Sequence, residues 1–370
     1  MDAEVRPIRL PATPRAPAPP ELDAYAALIR RLDLERLGTD ELARPVGELA
    51  VEFADDPYRV HTPFGAFDGD DLVGIAELVW ERDDDARTAY LELLGVVPDR
   101  RRERIGSTLL TCAERIAAEA GRTTLVLAAD HAAGTATGND GRAGTLTAPG
   151  GASGAVLRAP QGDATIPVDD PAAQFALAHG FALGQLDRVS VLDVAGRDEE
   201  FASRLEGLAA SDAYRVRAWV DRAPDELLDS LAVAHERMSV DAPSGAIAYE
   251  LEHWDAERVR DEERRALEKG RTTLTAAAIA PDGGVAGFTV LSLPAGSVAV
   301  EQWDTIVLAA HRGHRLGMRL KLENLRLLHE ADASRERIYT WNADENEHML
   351  AINLDLGFRP FALESVWQRP

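Results

Sequence analysis

The sequence predicts an α/β (α+β) protein made of two consecutive copies of one unit, each a mixed and mostly antiparallel sheet flanked by helices. Three observations predict this class. The 370 residues are too many for one typical domain, and a hydrophobic fraction of 45% is enough for two cores. Strands and helices follow one another in the same order in both halves. Matching turn and loop segments recur at a nearly constant separation, which indicates duplication.

The first copy begins with the segment Val5–Leu10, which predicts a strand, and continues with the helical periodicity of Glu21–Leu34. The Asp-Gly turn within Asp68–Asp71 predicts a hairpin between two apolar runs. The apolar run Ala89–Val97 predicts a further strand. Apolar residues spaced three and four apart from Ile105 onward predict the helix that follows it.

The second copy repeats this order. Arg215–Val220 is predicted as a strand, and Pro224–Glu236 begins with proline and acidic residues, as helices do. Pro281–Gly284 predicts the second hairpin turn. Val298–Leu308 then matches the long strand of the first copy, and Gly317–Glu330 matches its helix.

The predicted domains are residues 1–195 and 206–370, with a linker near Ala195–Ser211, where charged residues follow the last strand of the first copy. The Gly-Phe pairs that end the two copies are separated by fewer residues along the chain than the other matching segments are. The first copy must therefore carry an insertion. Residues 132–165 are rich in Gly, Ala, Thr and Ser without periodicity. Because such a composition buries little apolar surface, we predict a surface loop.

A formal net charge of −23 argues against a nucleic-acid partner, which requires clustered Lys and Arg, and leaves room for a cationic ligand. The single cysteine, Cys112, excludes an intramolecular disulfide and a cysteine-based zinc site. The Pro-rich segment Met1–Pro20 lacks an apolar core, and the sequence contains no apolar run of membrane-spanning length. We therefore predict a cytoplasmic protein without a membrane partner, and the bias toward Arg over Lys suggests an actinobacterial genome.

A buried strand that leads through a short polar loop into a helix forms an anion site, because the first amides of the helix point outward. His311–Gly317 is such a loop. Its glycines let a ligand approach the backbone, and Arg312 and Arg315 can neutralise phosphate charge. One loop of this composition is most often an ordinary basic helix entrance. A second one at Arg101–Gly106, after the equivalent strand, favours phosphate binding.

These loops resemble the pyrophosphate loop of the GNAT superfamily of acyl-CoA-dependent N-acetyltransferases, Gln/Arg-x-x-Gly-x-Gly/Ala. Arg312–Gly317 matches at three anchors. Trp341–Asn353 and Gly357-Phe358 look like the fifth strand, last helix and Gly-Phe exit of that family. Since both halves are covered, the chain is similar to the tandem GNAT class that includes mycothiol synthase, with no implication of the same acceptor. Arg104 and Arg315 depart from the pattern, because the family has its first loop glycine there.

The resemblance implies acetyl-CoA as co-substrate and no metal. It also implies a fourth strand that splays from its neighbour, so that its exposed backbone binds the pantetheine arm like an added strand. The amide of Val307 is expected to stabilise charge on the thioester carbonyl, and Asn346 to contact the pantetheine from the other side. The implied cofactor-binding residues are Thr305, Ile306, Val307, Arg312, Gly313, His314, Arg315, Leu316, Gly317 and Asn346 in the second copy, and Val97, Arg101, Arg102 and Gly106 in the first.

Acyl transfer to nitrogen needs a base, because an acceptor ammonium must lose a proton before it attacks. Glu301 occupies the fourth-strand position where several GNAT members hold a glutamate base; the alternative is a surface residue of that strand. Asp304 is the second choice, and alternation along the strand predicts it on the opposite face from Glu301 and Thr305. Asn353 stands where many members have a tyrosine acid, and it is left to hydrogen-bond the sulfur.

The first copy is interpreted as degenerate, because Tyr90, Asp169 and Ala176 replace the corresponding residues of the second copy. The chemistry is therefore predicted in the second copy. The predicted function is direct transfer of acetyl from acetyl-CoA to a primary amine of a small molecule or peptide in a ternary complex, by a monomer or homodimer. The alternative is a non-catalytic acyl-CoA-binding or sensor protein, since a fold does not fix its function.

Overall fold

The computed structural model describes residues 3–132, 146, 148, 154–208 and 213–370. The first half contains β1 (Glu4–Pro7), α1 (Pro20–Leu37), α2 (Val46–Glu52), β2 (Arg59–Asp68), β3 (Asp71–Glu81), β4 (Thr88–Val96), α3 (Ile105–Glu119), β5 (Thr124–Ala132), β6 (Val156–Leu157), β7 (Ile166–Pro167), α4 (Pro171–Ala178), β8 (Ala182–Asp193) and α5 (Asp198–Gly207).

The second half contains β9 (Arg215–Val220), α6 (Leu228–Asp241), α7 (Ala256–Glu268), β10 (Arg271–Ile279), β11 (Val285–Pro294), β12 (Ala299–Val307), α8 (Leu316–Ala331), β13 (Arg337–Ala343), α9 (Glu347–Leu356) and β14 (Arg359–Arg369). The strands, turns and helices predicted from the sequence are present, and their ends differ from the prediction by a few residues.

All described strands except the small pair β6 and β7 form one sheet, in the order β1-β2-β3-β4-β5-β14-β8-β13-β12-β11-β10-β9. The two halves exchange their last strands: β14 pairs with β5 of the first half, and β8 pairs with β13 of the second. At the centre, β14 and β8 pair with each other. The predicted division at residues 195 and 206 therefore follows the order of the chain but does not separate two independent sheets.

Helices cover both faces of the sheet. In β10, Ala276 and Ala278 pack with Leu320 of α8, whereas Ala277 packs with Leu231 of α6. Successive side chains of a strand point to opposite faces, so α8 and α6 lie on opposite sides of the sheet. Among the described residues, no helix is both long enough and apolar enough to cross a bilayer.

Each fourth strand leaves its parallel neighbour after four paired residues. β4 pairs with β5 only at Thr88–Leu91, and β12 pairs with β13 only at Ala299–Gln302. Register shifts against β3 and β11 mark a bulge at the same point of both strands. The splayed fourth strand that the resemblance implied is therefore confirmed in both halves.

The bulge in β12 changes which side chains share a face. Gln302 contacts Lys321 of α8, so its neighbour Glu301 faces the other side of the sheet. Asp304 contacts His235 of α6, which lies on that same other side. The predicted separation of Glu301 and Asp304 onto two faces is wrong, because a regular alternation cannot reveal the extra residue of a bulge.

Two segments predicted as irregular contain ordered structure. The linker near Ala195–Ser211 includes α5, whose Phe201 is buried in one cluster with apolar residues of α8. In the insertion 132–165, Leu146 and Ala148 are buried in the core of the first half. Ala159 and Ala164 are buried in the same core, so the prediction of a surface loop is wrong at these four positions, because scattered apolar residues suffice to anchor the segment. Much of the insertion lies outside the described residues.

Candidate active site

In both predicted anion loops, the residue that replaces the first loop glycine of the GNAT pattern has a left-handed backbone. Arg104 and Arg315 immediately precede α3 and α8, with φ of 66° and 56°. This conformation costs a residue with a side chain about 1–2 kcal/mol relative to a right-handed one. The substituted glycines therefore strain the loops but do not prevent the helices from starting at equivalent positions.

The last glycine of each loop lies in close contact with the last helix of its half. A Cβ on Gly106 would lie 3.2 Å from the ring of Phe175 in α4, and a Cβ on Gly317 would lie 3.1 Å from Ile352 in α9. Each glycine thus lets the last helix of its half approach the loop closely. This contact explains why the pattern ends in a small residue in both copies.

The loop of the second half presents arginine charge to solvent. Arg312 donates its Nε to the carbonyl of Val307 at 3.1 Å, and both Arg312 and Arg315 are exposed. Neither guanidinium is paired with a carboxylate in the described parts of the chain. Gly313 takes a second left-handed position with φ of 86°, and the ring of His314 lies against Tyr214. These arginines are free to neutralise a phosphate group.

The loop of the first half has the same geometry, but its arginine is paired with a carboxylate. Arg101 donates its Nε to the carbonyl of Val96 at 3.1 Å, which is the equivalent contact. Its two terminal nitrogens, however, donate to Glu35 of α1 at 2.7 and 2.6 Å. Arg102, with φ of 67°, occupies the left-handed position that glycine takes in the other loop. A phosphate here must compete with Glu35 for Arg101.

The open edge of β12 presents amides toward the splay. The amide of Leu308 donates to the carbonyl of Ala286 in β11 at 2.9 Å. Because amides alternate in direction along a strand, the amide of Val307 points to the opposite, unpaired edge, as does that of Thr305. Ile306 instead packs its side chain into the apolar cluster beneath α6. The backbone of Thr305 and Val307 can therefore pair with an extended ligand.

The first half offers a different residue at this position. The amide of Val97 donates to the carbonyl of Val73 in β3 at 3.1 Å, so it is already used within the sheet. The next amide toward the N-terminus, that of Val96, points to the open edge. The amide of Val97 is therefore not available to a ligand, and the cofactor-binding role predicted for Val97 stays untested.

Asn346 and Asn353 both make structural hydrogen bonds. The side chain of Asn346 caps α9 by accepting from the amide of Met349 at 3.2 Å. Asn353 is 2% exposed and donates to Oδ1 of Asn342 in β13 at 2.6 Å. Its own Oδ1 is buried and accepts no hydrogen bond from any described residue. The predicted hydrogen bond from Asn353 to the sulfur stays untested, because this side chain is enclosed by the protein.

Glu301 is held by partners on both carboxylate oxygens. One oxygen lies 3.0 Å from Arg271, which in turn contacts Glu48 of α2 at 2.7 Å. The other accepts from the indole of Trp303 at 3.0 Å. This chain of charges joins the two halves and lies outside the cavity described next. The structure therefore gives Glu301 a connecting contact, and its catalytic role stays an untested prediction.

A cavity of about 1540 Å³ lies between the two halves. Leu91 and Glu92 line it where β4 leaves β5, and Trp303 and Asp304 line it where β12 leaves β13. Helices α6 and α7 and the segment 242–255 supply further walls. Both fourth strands thus reach the same cavity at the points where their backbone edges become unpaired.

The walls of this cavity are strongly acidic. Among the described residues, fifteen acidic side chains line it against six from arginine and lysine. The rings of Tyr90 and Tyr249 stack within it, with centroids 6.4 Å apart. Desolvation by the surrounding walls, followed by the charge of Glu77, raises the pKa of Glu92. Carboxylates and aromatic faces together suit a cationic ligand.

Three carboxylates lie side by side at the strand exchange: Asp130 on β5, Glu364 on β14 and Asp187 on β8. Burial, and then the charges of Asp130 and Asp187, raise the pKa of Glu364 well above its usual range. Burial, and then the charges of Glu345 and Asp344, raise the pKa of Asp187 to about 7. A cation bound near this row favours the charged carboxylates, so its arrival releases protons.

Glu52, His61 and Glu77 form the group of potential metal ligands in the described residues, with donor atoms within 4.8 Å of one another. Arg44, however, lies 2.8 Å from Glu52 and 2.6 Å from Glu77. Its guanidinium already supplies a positive charge to both carboxylates. A divalent ion here must overcome repulsion from that charge, so the cluster is better suited to an ion pair than to a metal.

Most residues of the cavity were not predicted from the sequence, among them His235, Tyr249 and Glu364. They come from α6, from the segment 242–255 and from the exchanged strand β14. They converge only because the two halves share one sheet. The sequence offers no periodic or motif signal for that convergence.

The sequence model of the acetyltransferase (GNAT) family matches residues 29–136, which begin in α1 and extend past β5. A search of curated proteins finds no match. The structure is similar to that of a tandem GNAT protein from the clavulanic acid biosynthesis pathway, without AcCoA. That similarity has a TM-score of 0.69 and 24% identity, and covers 99% of this chain and 98% of the other.

Two further structures show the same architecture. A GCN5-related N-acetyltransferase from Sphaerobacter thermophilus has a TM-score of 0.57 and 13% identity, over 98% of this chain and 96% of the other. A putative acetyltransferase from Pyrococcus horikoshii has a TM-score of 0.52 and 11% identity, over 100% of this chain and 89% of the other.

The first half therefore carries a GNAT acetyltransferase domain, and the whole chain has the tandem GNAT fold. The class of enzyme that this family defines is the N-acetyltransferases, which carry out acyl transfer.

Proposed function

We propose that the protein transfers acetyl from acetyl-CoA directly to a primary amine of a cationic small molecule or peptide, held in the cavity between the halves. The observation that carries this proposal is the convergence of both fourth strands on one acidic cavity at the points where their edges become unpaired. An acyl donor paired with such an edge presents its reactive end to the cavity.

The second half is proposed as the main acetyl-CoA site. Arg312 and Arg315 carry charges that no described carboxylate neutralises, and they stand at the N-terminus of α8, where the helix dipole favours phosphate. The open-edge amides of Thr305 and Val307 would hold the pantetheine arm, and the amide of Val307 would stabilise charge on the carbonyl oxygen. The residues present therefore fit an acyl-CoA ligand.

The acceptor is proposed to be cationic because the cavity carries a large excess of carboxylates. The negative field of the cavity attracts a positive ligand. Contact with the faces of Tyr90 and Tyr249 then offsets part of the free-energy cost of removing water from that ligand. A neutral or anionic amine would give the carboxylates of the strand exchange no positive partner, so Glu364 and Asp187 would keep their protons and form no ion pair with it. Acetylation lowers the positive charge of the amine, so the product binds this cavity less tightly than the substrate and leaves.

The first test is calorimetric titration of the wild type and of the Arg312→Ala and Arg101→Ala variants with acetyl-CoA. We expect Arg312→Ala to weaken the tighter site at least tenfold, because a charge-assisted contact to phosphate contributes about 1.5–3 kcal/mol. Arg101→Ala is the matched control, and its effect on that site is expected to stay below threefold. Equal effects of the two variants would contradict the assignment to the second half.

The second test is release of free thiol from acetyl-CoA in the presence of spermidine, compared with an acidic tripeptide bearing a free N-terminus. We expect turnover with spermidine at concentrations where the acidic tripeptide gives none. Acetyl-CoA binding without thiol release for any amine would support the acyl-CoA sensor instead. Absence of acetyl-CoA binding would overturn both functions.

A further inference from the structure

His235 of α6 stands at the cavity wall beside the bulge of β12. Its ring lies between two aromatic groups, stacked on Trp254 with centroids 4.4 Å apart and in contact with Phe288 at the same distance. Its Nδ1 lies 3.3 Å from Oδ2 of Asp304, in a geometry too bent for a full hydrogen bond. The side chain is 17% exposed, and both His235 and Asp304 line the cavity.

This arrangement leaves one ring nitrogen for a ligand. Because Nδ1 faces Asp304, the ring presents Nε2 elsewhere, and no described residue forms a hydrogen bond with it. The two aromatic neighbours fix the plane of the ring. An imidazole with a carboxylate beside one nitrogen and the other nitrogen open to a ligand is suited to act as a general base.

The other candidate bases are less well placed. Glu301 is paired with Arg271 and with the indole of Trp303, and it lies outside the cavity. Glu92 lies at the bulge of β4 in the first half, whose open edge is not the one proposed to hold the thioester. His235 is adjacent to the edge of β12 whose amides are proposed to hold the thioester, since Asp304 directly precedes Thr305.

We propose that His235 is the proton acceptor of the second half and that Asp304 positions its ring; this inference rests on the proposed acetyl transfer. Nε2 takes one proton from the acceptor ammonium. The freed nitrogen lone pair then forms the C–N bond to the acetyl carbon while the C–S bond breaks. The sulfur leaves with its electron pair and takes the second ammonium proton, and His235 returns its proton to the water of the cavity.

The charged groups around His235 come from four elements. Asp304 approaches the ring from β12 and stabilises the imidazolium that forms. Arg258 of α7 lies over the ring of Trp254 at 4.5 Å, on the element packed against His235. Glu236, next in α6, lies 3.6 Å from His253 of the covering segment. Phe288, from β11, adds no charge.

The test compares His235→Gln and Asp304→Asn with His329→Gln as the matched control. His329 forms a similar pair with Asp198, at 2.9 Å, on α8 away from the cavity. We expect His235→Gln to lower kcat at least 100-fold with an unchanged Kd for acetyl-CoA, and to abolish the acidic limb of the pH profile of kcat/KM. Asp304→Asn is expected to lower kcat about tenfold and to move that limb to lower pH, because the imidazolium loses its carboxylate partner.

Several results would overturn the inference while leaving acetyl transfer intact. One is wild-type turnover that His235→Gln lowers less than threefold. Another is an acidic limb of the kcat/KM profile that the Asp304→Asn substitution does not shift. A third is loss of the acidic limb of the kcat/KM profile in the His61→Gln variant. That result would assign the proton acceptor to the first half. If the wild type binds acetyl-CoA but acetylates no amine, the proposed function itself fails. Retained acetyl-CoA affinity in each variant shows that the chain is folded.

Discussion

The two halves share one backbone plan but differ in what they place around it. In both loops an arginine donates Nε to the carbonyl of the strand that precedes it, Arg101 to Val96 and Arg312 to Val307. In the first half Glu35 then occupies the remaining nitrogens of the arginine. A loop geometry shared by the two halves therefore does not by itself provide an available phosphate site, since a carboxylate of the protein can already bind the loop arginine.

The cores beneath the two equivalent helices differ in the same way. Under α3, Leu110 and Leu91 are buried among apolar neighbours. The matching positions under α8 are Lys321 and Gln302, joined by a hydrogen bond of 3.3 Å. Gln302 also donates to Thr289 at 3.0 Å. The first half is apolar at these two positions, whereas the second contains a buried polar chain beside its open strand.

The largest expected effect concerns that buried lysine. Burial lowers the pKa of Lys321 to about 7, whereas a lysine in an unfolded chain titrates near 10.4. Between pH 7 and 10 the unfolded state binds more protons than the folded state, so the free energy of unfolding rises with pH. Below about pH 7 the lysine is charged in both states, and the full cost of burying its charge applies. We expect Lys321→Met to raise the free energy of unfolding by about 3 kcal/mol at pH 7 and to abolish this rise, measured by guanidinium denaturation.

Leu110→Met is the matched control, because it places the same side chain at the equivalent position of the first half. We expect it to change stability by less than about 1.5 kcal/mol and to leave the pH dependence as in the wild type. A loss of stability in Lys321→Met at every pH would show that the lysine stabilises the second half through its bond to Gln302.

A smaller effect is expected from the backbone of the loops. Arg102 and Gly313 occupy equivalent left-handed positions, with φ of 67° and 86°. We expect Arg102→Gly to stabilise the protein by about 1 kcal/mol, and Gly313→Ala to destabilise it by a similar amount, in thermal unfolding. No atom lies within 4 Å of a Cβ built on Gly313, so its effect would come from the backbone alone. Equal and opposite shifts would support strain as the cause, and a destabilising Arg102→Gly would contradict it.

The repeated architecture was predictable because each of its signals is local. The Asp-Gly turn, the apolar strands and the helical periodicity after Ile105 each appear within a short window of sequence. The anion loops were predictable for the same reason, since Arg312–Gly317 carries its own pattern. The left-handed backbone at Arg315 was not predicted, because an arginine disfavours that conformation.

The features that the sequence could not show depend on residues distant in the chain. The exchange of β8 and β14 results from pairing between strands that follow similar helices in both halves, and either partner satisfies the same pattern. The bulge that moves Asp304 to the face of Glu301 adds one residue without a glycine to mark it. The pair of His235 and Asp304 joins α6 to β12, and the ion pair of Glu35 and Arg101 joins α1 to a loop.

The smallest expected effect tests the comparison of the loops directly. Glu35→Gln removes the charge that competes for Arg101, and since both side chains are partly exposed, their ion pair contributes less than about 1 kcal/mol. We expect a two- to fivefold gain in acetyl-CoA affinity at the first-half site, measured calorimetrically in the Arg312→Ala background, where that site is seen alone. Because the pair is screened by salt, the gain should disappear at 1 M ionic strength.

The matched control is Glu119→Gln, which breaks an ion pair of Glu119 with Arg115 at the far end of α3. It removes the same charge from the first half without freeing a loop arginine, so we expect no gain in affinity. An equal gain in both variants would show that the overall negative field, rather than Glu35, limits acetyl-CoA binding. No gain in either would show that Arg102, strained and unpaired with any described carboxylate, limits the first loop through its backbone.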